Sequence, residues 1–268
     1  MGMNAPERIA LQDVQSRRDL RNLRIDAVGV KGLCYPVTIQ AGEGAVSTVA
    51  TWCLTVALEA SEKGTHMSRF VELLEARREP LNARRFTRLV SEMLERLQAA
   101  SGTIEMRFPY FVRKTAPVSG VSSMLDYDVC WRGSLAERGD CSFWMSVAVP
   151  ATSLCPCSKE ISEYGAHNQR SSIRVSAELL DDVAIDELIR VAEEAASCEL
   201  YGLLKRPDEK YVTERAYDNP RFVEDLVREV ALALERDGRI GRYIVEAENF
   251  ESIHNHSAFA RITSDAVR

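Results

Sequence analysis

Apolar residues recur along this chain with two periods, and the switches between them mark out its elements. From Val49 to Glu59 the period is two. Trp52, Leu54, Val56 and Leu58 fall on one side and Thr51, Cys53 and Thr55 on the other, which predicts a half-buried strand. An extended segment from Arg24 to Gln40 precedes it across the turn residues Gly42-Glu43-Gly44, and Ser61-Glu62-Lys63-Gly64 closes it. The period then lengthens. Ser68 is a candidate cap for a helix carrying Phe70, Leu73 and Leu74, interrupted by Pro80. Asn82 is a candidate cap for a second helix, with Phe86, Leu89, Val90, Met93 and Leu97 on one face. Past Ser101-Gly102 the period returns to two, and Ile104, Met106, Phe108, Tyr110 and Val112 share a face; Pro109 points to an edge position or a bulge. A further extended run, Met124 to Trp131, follows the turn at Pro117–Gly120.

The order then repeats. Cys141 to Val149 reads as a strand, and in another Ile173, Val175, Ala177 and Leu179 alternate with Arg174, Ser176 and Glu178. Helical spacing runs from about Ile185 to Ser197. A polar connection follows from Lys205 to Asn219. A longer helix opens at Pro220 and carries Phe222, Val223, Leu226, Val227, Val230 and Leu234 as far as Gly238. Tyr243–Phe250 and His256–Thr263 are the last strands. Each half therefore reads strand-strand-helix-helix-strand-strand, an α+β pattern of antiparallel sheet with helices on one face. The division falls as a polar tail over 1–23, a first unit over 24–137 and a second over 138–268. The halves share element order rather than residue identity. The open sheet edges of such a design favour assembly with other subunits.

Composition narrows the function classes. With 268 residues, 46% hydrophobic and 28% charged, the chain can build a sizeable core and is not a disordered polymer. A net charge of −6 without a basic block argues against nucleic acid as a partner, while leaving room for a local basic pocket that holds phosphates. Met1–Leu23 lacks the apolar centre of a signal peptide and no run reaches membrane-spanning length, so a cytoplasmic protein with no membrane partner is expected. Seven cysteines, an odd number, do not suggest a disulfide framework. Cys34, Cys53, Cys130, Cys141 and Cys198 are scattered singly and read as small buried apolar residues.

Candidate chemistry concentrates between Ser153 and Ser171. Ser158 reads as a helix cap and Gly165 as the residue ending that helix, which would set Cys155 and Cys157 just before a helix N-terminus. Exposed N–H groups at such a terminus favour negative charge, and a thiolate binds metals and attacks electrophiles. His167 follows the short helix. His254 and His256 lie between the last two strands and could converge on the same end of the sheet; His66, the fourth histidine, stands apart in the first half. Cys155, His167 and His254 are sulfur and nitrogen donors suited to zinc or a similar divalent metal. Glu209, in the polar connection, is a candidate carboxylate partner, although a lone polar-loop glutamate is more often a solvated surface acid. Cys155-Pro156-Cys157 is not a Cys-x-x-Cys knuckle and no second pair exists, so the pattern favours an open catalytic site over a structural staple.

Several long stretches resemble one family. Ser153-Leu-Cys-Pro-Cys-Ser-Lys-Glu-Ile-Ser162, Tyr164-Gly-Ala-His-Asn-Gln-Arg170, Lys205-Arg-Pro-Asp-Glu-Lys-Tyr-Val-Thr-Glu214, Asn219-Pro-Arg-Phe-Val-Glu224 and Glu251-Ser-Ile-His-Asn-His256 are similar to the prokaryotic GTP cyclohydrolase of type IB, as is Gly64-Thr-His-Met-Ser-Arg-Phe70. The resemblance spans roughly 24–265. It implies a tunnelling fold of two tandem ββααββ units, assembled as a homo-oligomer, expected as a tetramer, around a barrel. It implies conversion of GTP and water to 7,8-dihydroneopterin triphosphate and formate, the first step toward tetrahydrofolate.

By the same resemblance Cys155, His167, Glu209 and His254 fall on metal positions, Cys155 and His167 being also catalytic, with zinc or manganese as the cofactor. Glu224 falls on the acid that anchors guanine. A carboxylate suits the guanine N1–H and amine, while the plain reading of Glu224 is a first-turn helix acid favoured by the dipole. Lys159, Arg170, Lys205, Arg206 and Lys210 are candidate triphosphate cations. Two other readings remain open: an NADPH-dependent nitrile reductase of the same fold with a cysteine nucleophile, and a metal-binding assembly module without catalysis.

Overall fold

The computed structural model describes residue 15, residues 17–41 and residues 44–264. Its strands form one antiparallel sheet. In spatial order these are β1 (Ile25–Ala41), β2 (Gly44–Leu58), β3 (Gly102–Thr115), β4 (Ser122–Leu135), β5 (Cys141–Leu154), β6 (Asn168–Leu179), β8 (Ile240–Asn249) and β9 (Ala258–Thr263), while the short β7 (Cys198–Glu199) pairs with β5. The ladder continues through the middle of the chain, from Asp128↔Ala148 to Leu135↔Cys141. Helices α1 (Met67–Glu75), α2 (Ala83–Leu97), α4 (Ile185–Ala195) and α6 (Val223–Arg236) cover one side, and α3 (Pro156–Ile161) and α5 (Arg206–Asp218) fill connections of the second half.

The alternation seen in the sequence becomes the core. Trp52, Leu54, Val56, Ile104, Met106, Phe108 and Trp131 turn inward and are buried. Phe86 of α2 meets Trp131 and Phe143 edge-on, with ring centroids 5.7 and 5.6 Å apart. A side chain at Gly133 would place its Cβ 2.9 Å from Val90 and 3.2 Å from Phe86, so the glycine allows α2 to sit this close to β4. Asn82 caps α2 as expected, its Oδ1 accepting the Arg85 N–H at 2.9 Å. Pro109 lies beyond Arg107, the last β3 residue paired with β2, and pairs with Asp128 without a register shift; it holds an edge-like position and not a bulge.

Some local expectations are corrected. His66, not Ser68, is the N-cap of α1, and Ser68 lies inside the helix. The segment read as a polar connection is the helix α5; its surface is too polar to show an apolar stripe, and among its residues only Asp208 and Ala216 are buried. Helix α6 begins at Val223 rather than Pro220, with Phe222 as its exposed N-cap. Of the five singly placed cysteines only Cys198 is fully buried, whereas Cys34 and Cys141 are exposed. Arg18, in the part read as a tail, pairs with Glu62. The rest of that tail before residue 17, apart from residue 15, and the turn residues 42–43 lie outside the described residues.

Candidate active site

The β5–β6 loop and the β8–β9 loop leave the same end of the antiparallel sheet. Together with the start of α6 they enclose a cavity of about 440 Å³ lined by Cys155, Cys157, His167, Glu224, His254 and His256, among others. The loop carrying Cys155 is closed by its own backbone. The Cys155 N–H donates to the His167 carbonyl at 3.1 Å, extending the ladder one step past Leu154↔Asn168. Ser158 fastens the turn from inside: its hydroxyl donates to the Cys155 carbonyl at 3.1 Å and accepts the His167 N–H at 3.2 Å.

Cys155 itself is therefore the N-cap of α3, its Sγ accepting the Ser158 N–H at 3.4 Å. Pro156 takes the first helical position, where its missing N–H costs nothing. Ser158 is not the cap, and Gly165 does not end the helix. The helix stops at Ile161, and Gly165 turns the returning loop with φ +120°, a conformation that suits glycine. Cys157 lies in the first turn of α3 and is exposed. The two cysteines thus do not share an extended segment.

His167 is positioned from the other loop. Its Nδ1 lies 3.2 Å from Ser252 Oγ and 4.0 Å from Glu251 Oε2, and the His167 and Glu251 side chains are mostly covered. His254 and His256, both exposed and both lining the cavity, stack with ring centroids 5.0 Å apart. Glu224 stands in the first turn of α6 and lines the cavity, while its neighbour Asp225 accepts the Phe222 N–H and closes the helix start.

Glu209 is not brought to this group. It is exposed in the first turn of α5, and α5 meets α3 at its far end, where Lys159 Nζ donates to the Tyr217 carbonyl at 2.5 Å. Eight residues of helix separate Glu209 from Tyr217, a rise of about 12 Å. The start of α5 is held instead by Asp208. This buried carboxylate accepts N–H groups of Val118, Ser119 and Lys205 and the Ser119 hydroxyl. Burial opposes its charge, yet these four donors, Ser119 foremost, hold the carboxyl below the usual range.

Among the described residues no group of three or more His, Cys, Asp or Glu side chains is gathered closely enough to hold a metal ion. The cavity lining still carries donors that suit zinc: the Cys155 thiol at an N-cap, the imidazoles of His167, His254 and His256, and the carboxylates of Glu224 and Glu251.

Of the candidate triphosphate cations, Lys159 is engaged with Tyr217, Lys210 pairs with Glu214 at 3.1 Å, and Arg170, Lys205 and Arg206 are exposed outside the cavity. The cation lining it is Arg221, half-buried, whose Nε has no hydrogen-bond partner. Arg221, Gln169 and Glu251 were not singled out from the sequence. All three fall inside the quoted motifs, which was the signal at hand. His66 lines a separate cavity of about 630 Å³ in the first half, with Arg17, Arg18 and Arg69.

The sheet and its helical cover define a protein of the uricase-like tunnelling fold. Urate oxidase from Bacillus subtilis 168 superposes with a TM-score of 0.51 at 7% identity, covering 89% of this chain and 98% of that one. Uricase from Arthrobacter globiformis gives 0.50 at 7% identity over 91% and 95%. Sequence relationships are far closer to another group. The family described as type I GTP cyclohydrolase FolE2 matches residues 11–260. GTP cyclohydrolase FolE2 of Ralstonia nicotianae is 59% identical over 96% of each chain, and that of Burkholderia mallei strain SAVP1 is 58% identical over 100% of this chain and 99% of its own. The chain belongs to the GTP cyclohydrolase FolE2 family.

Proposed function

We propose that this chain is a GTP cyclohydrolase that converts GTP and water to 7,8-dihydroneopterin 3'-triphosphate and formate, feeding tetrahydrofolate synthesis. Family membership supports this reading. The observation that carries it to particular residues is the cavity that joins Cys155, His167 and Glu224 at one end of the sheet. No observation favours the nitrile reductase or the assembly module.

Glu224 anchors the substrate, its carboxylate accepting from guanine N1–H and the exocyclic amine. That orientation turns the imidazole ring toward Cys155 and His167. His167, held through Nδ1 by Ser252 and faced by Glu251, moves protons as water adds at C8 and the C8–N bonds break. Cys155, His167 and His254 would hold a divalent metal, zinc or manganese. Bound there, the metal supplies Lewis-acid polarisation and favours deprotonation of water.

Glu209 completes this set from a neighbouring subunit of a homo-oligomer. Its exposure, the place of β1 and β9 as the end strands of the sheet, and the exposed Ile161, Tyr164, Phe222 and Ile253 around the cavity support a subunit boundary there. Closure of those edges into a barrel, with four subunits, follows the same reading. The free cysteines fit a reducing cytoplasm. Among the described residues no helix is long and apolar enough to cross a membrane. The test is incubation of metal-loaded protein with GTP, followed by measurement of formate and of fluorescent neopterin after oxidation. Formate and neopterin in equal amounts are expected; neither product would refute the reading.

A further inference from the structure

Below Cys155 and Glu224 the cavity wall includes Gln169 and Asn249, both buried. They belong to one hydrogen-bonded row. Gln169 Nε2 donates to Ser153 Oγ at 3.2 Å, Ser153 Oγ and Ser171 Oγ are 2.6 Å apart, and Ser171 Oγ donates to Asn249 Oδ1 at 2.7 Å. Each serine has one proton to give. Ser171 gives its proton to Asn249, so Ser153 gives its own to Ser171, and Ser153 can only accept from Gln169. The row runs in one direction and fixes the glutamine amide with its nitrogen engaged and its oxygen left over.

That oxygen, Gln169 Oε1, is buried and has no partner, although the residue is only 7% exposed. A buried acceptor left without a donor is costly and rare in native proteins. The glutamine that carries it lines the cavity that holds Glu224. Guanine presents three N–H bonds on its pyrimidine edge. A carboxylate gripping that edge takes N1–H and one amine hydrogen, leaving the second amine hydrogen in need of an acceptor.

We propose that Gln169 is a specificity-determining residue for this reaction, its Oε1 accepting the second hydrogen of the guanine exocyclic amine beside Glu224. This rests on the cyclohydrolase reading. It assigns to Gln169 a discrimination that Glu224 alone does not complete: guanine against hypoxanthine, which lacks the amine. Ser153, Ser171 and Asn249 keep the acceptor aimed and in one orientation.

The experiment compares formate release from GTP and from ITP by the wild-type, metal-loaded enzyme and by Gln169→Met. Loss of one neutral hydrogen bond should lower kcat/KM for GTP about tenfold. ITP has no amine to lose, so its kcat/KM should stay within about twofold and the GTP/ITP preference should shrink about tenfold. Equal losses for both nucleotides, or an unchanged preference, would make Gln169 a support of the cavity wall and overturn the proposal. Should Gln169→Met fail to fold, the wild-type enzyme carries the test with N2-methyl-GTP, which retains one amine hydrogen. A loss of about tenfold or more in kcat/KM against GTP is expected, and equal turnover overturns the proposal. Wild-type enzyme that releases no formate from GTP would refute the cyclohydrolase reading and this inference with it; turnover with an unchanged preference refutes this inference alone.

Discussion

The two halves of the sheet are built alike and finished differently. In the first half the inward face stays apolar along β2, β3 and β4, and its centre is a group of rings, Trp52, Phe86 and Trp131, joined at the border by Phe143 of β5. In the second half β5, β6 and β8 start the same way, with Val147, Val175 and Val245 under α4 and α6, then change character at one end. Ser153, Gln169, Ser171 and Asn249 there are buried but polar. The connections differ too. Only residues 42–43 separate β1 from β2, whereas the β5–β6 connection spans residues 155–167 and carries Cys155, α3 and His167. Among the described residues the unpartnered buried side-chain atoms divide in the same way: two indole nitrogens in the apolar core, against Gln169 Oε1 and Arg221 Nε at the cavity. One half holds the sheet together. The other gives up apolar packing at one end for groups that can meet a ligand.

Breaking each half separately should give different failures. The largest effect on chemistry is expected from Cys155→Ala, which should abolish formate release and weaken metal retention while leaving the melting curve cooperative. Cys157→Ala, on an exposed residue of α3, should keep substantial activity. Elemental analysis beside formate yield separates them, and the reverse result would exchange their roles. On the structural side, Phe86→Ala should cost about 3–5 kcal/mol of stability. Denaturant unfolding would show it, and KM for GTP in the protein that remains folded should be unchanged.

Intermediate effects sharpen the contrast. Glu224→Gln should lower kcat/KM for GTP by about 10–150-fold, the worth of a charge-assisted hydrogen bond, with metal content unaltered. Unchanged kinetics would return Glu224 to the role of a helix-start acid. The smallest effect concerns acid stability. The Asp208 carboxyl titrates below its ordinary value in the folded protein. Its stabilisation is therefore complete above the unfolded value near 4 and is lost as pH falls below that toward the folded one. Between about pH 5 and about pH 3 the melting temperature of the wild type should fall more steeply than that of Asp208→Asn. Parallel curves would show that the four donors on Asp208 do not favour its charge.

Much of this difference was legible in the sequence, but not all. Strand alternation from Trp52 to Leu58 and the apolar stripe of α2 show directly because burial repeats with the period of the element. Helix α5 did not show, since its surface carries charge all round and its anchoring point is one buried acid, Asp208. The start of α3 was misread because a cysteine took the capping place that a serine usually fills. Gln169 looked like any polar residue in a strand; its meaning lies in the direction of a hydrogen-bond row assembled from β5, β6 and β8. Motif order pointed to residues that share one cavity where periodicity was silent, yet grouped Glu209 with Cys155, His167 and His254, from which the single chain keeps it apart.

That separation gives the most direct test of the account, in which the polar end of the second half is a GTP-opening site completed by a neighbouring subunit. Cys155→Ala and Glu209→Ala are each expected to be inactive alone. Co-expressed, they should recover activity, because random assembly of two subunit types leaves about a quarter of the boundary sites with both side chains intact. Formate release near that fraction of wild type is the predicted result. A fully active Glu209→Ala enzyme, or a mixture that assembles and stays inactive, would contradict it.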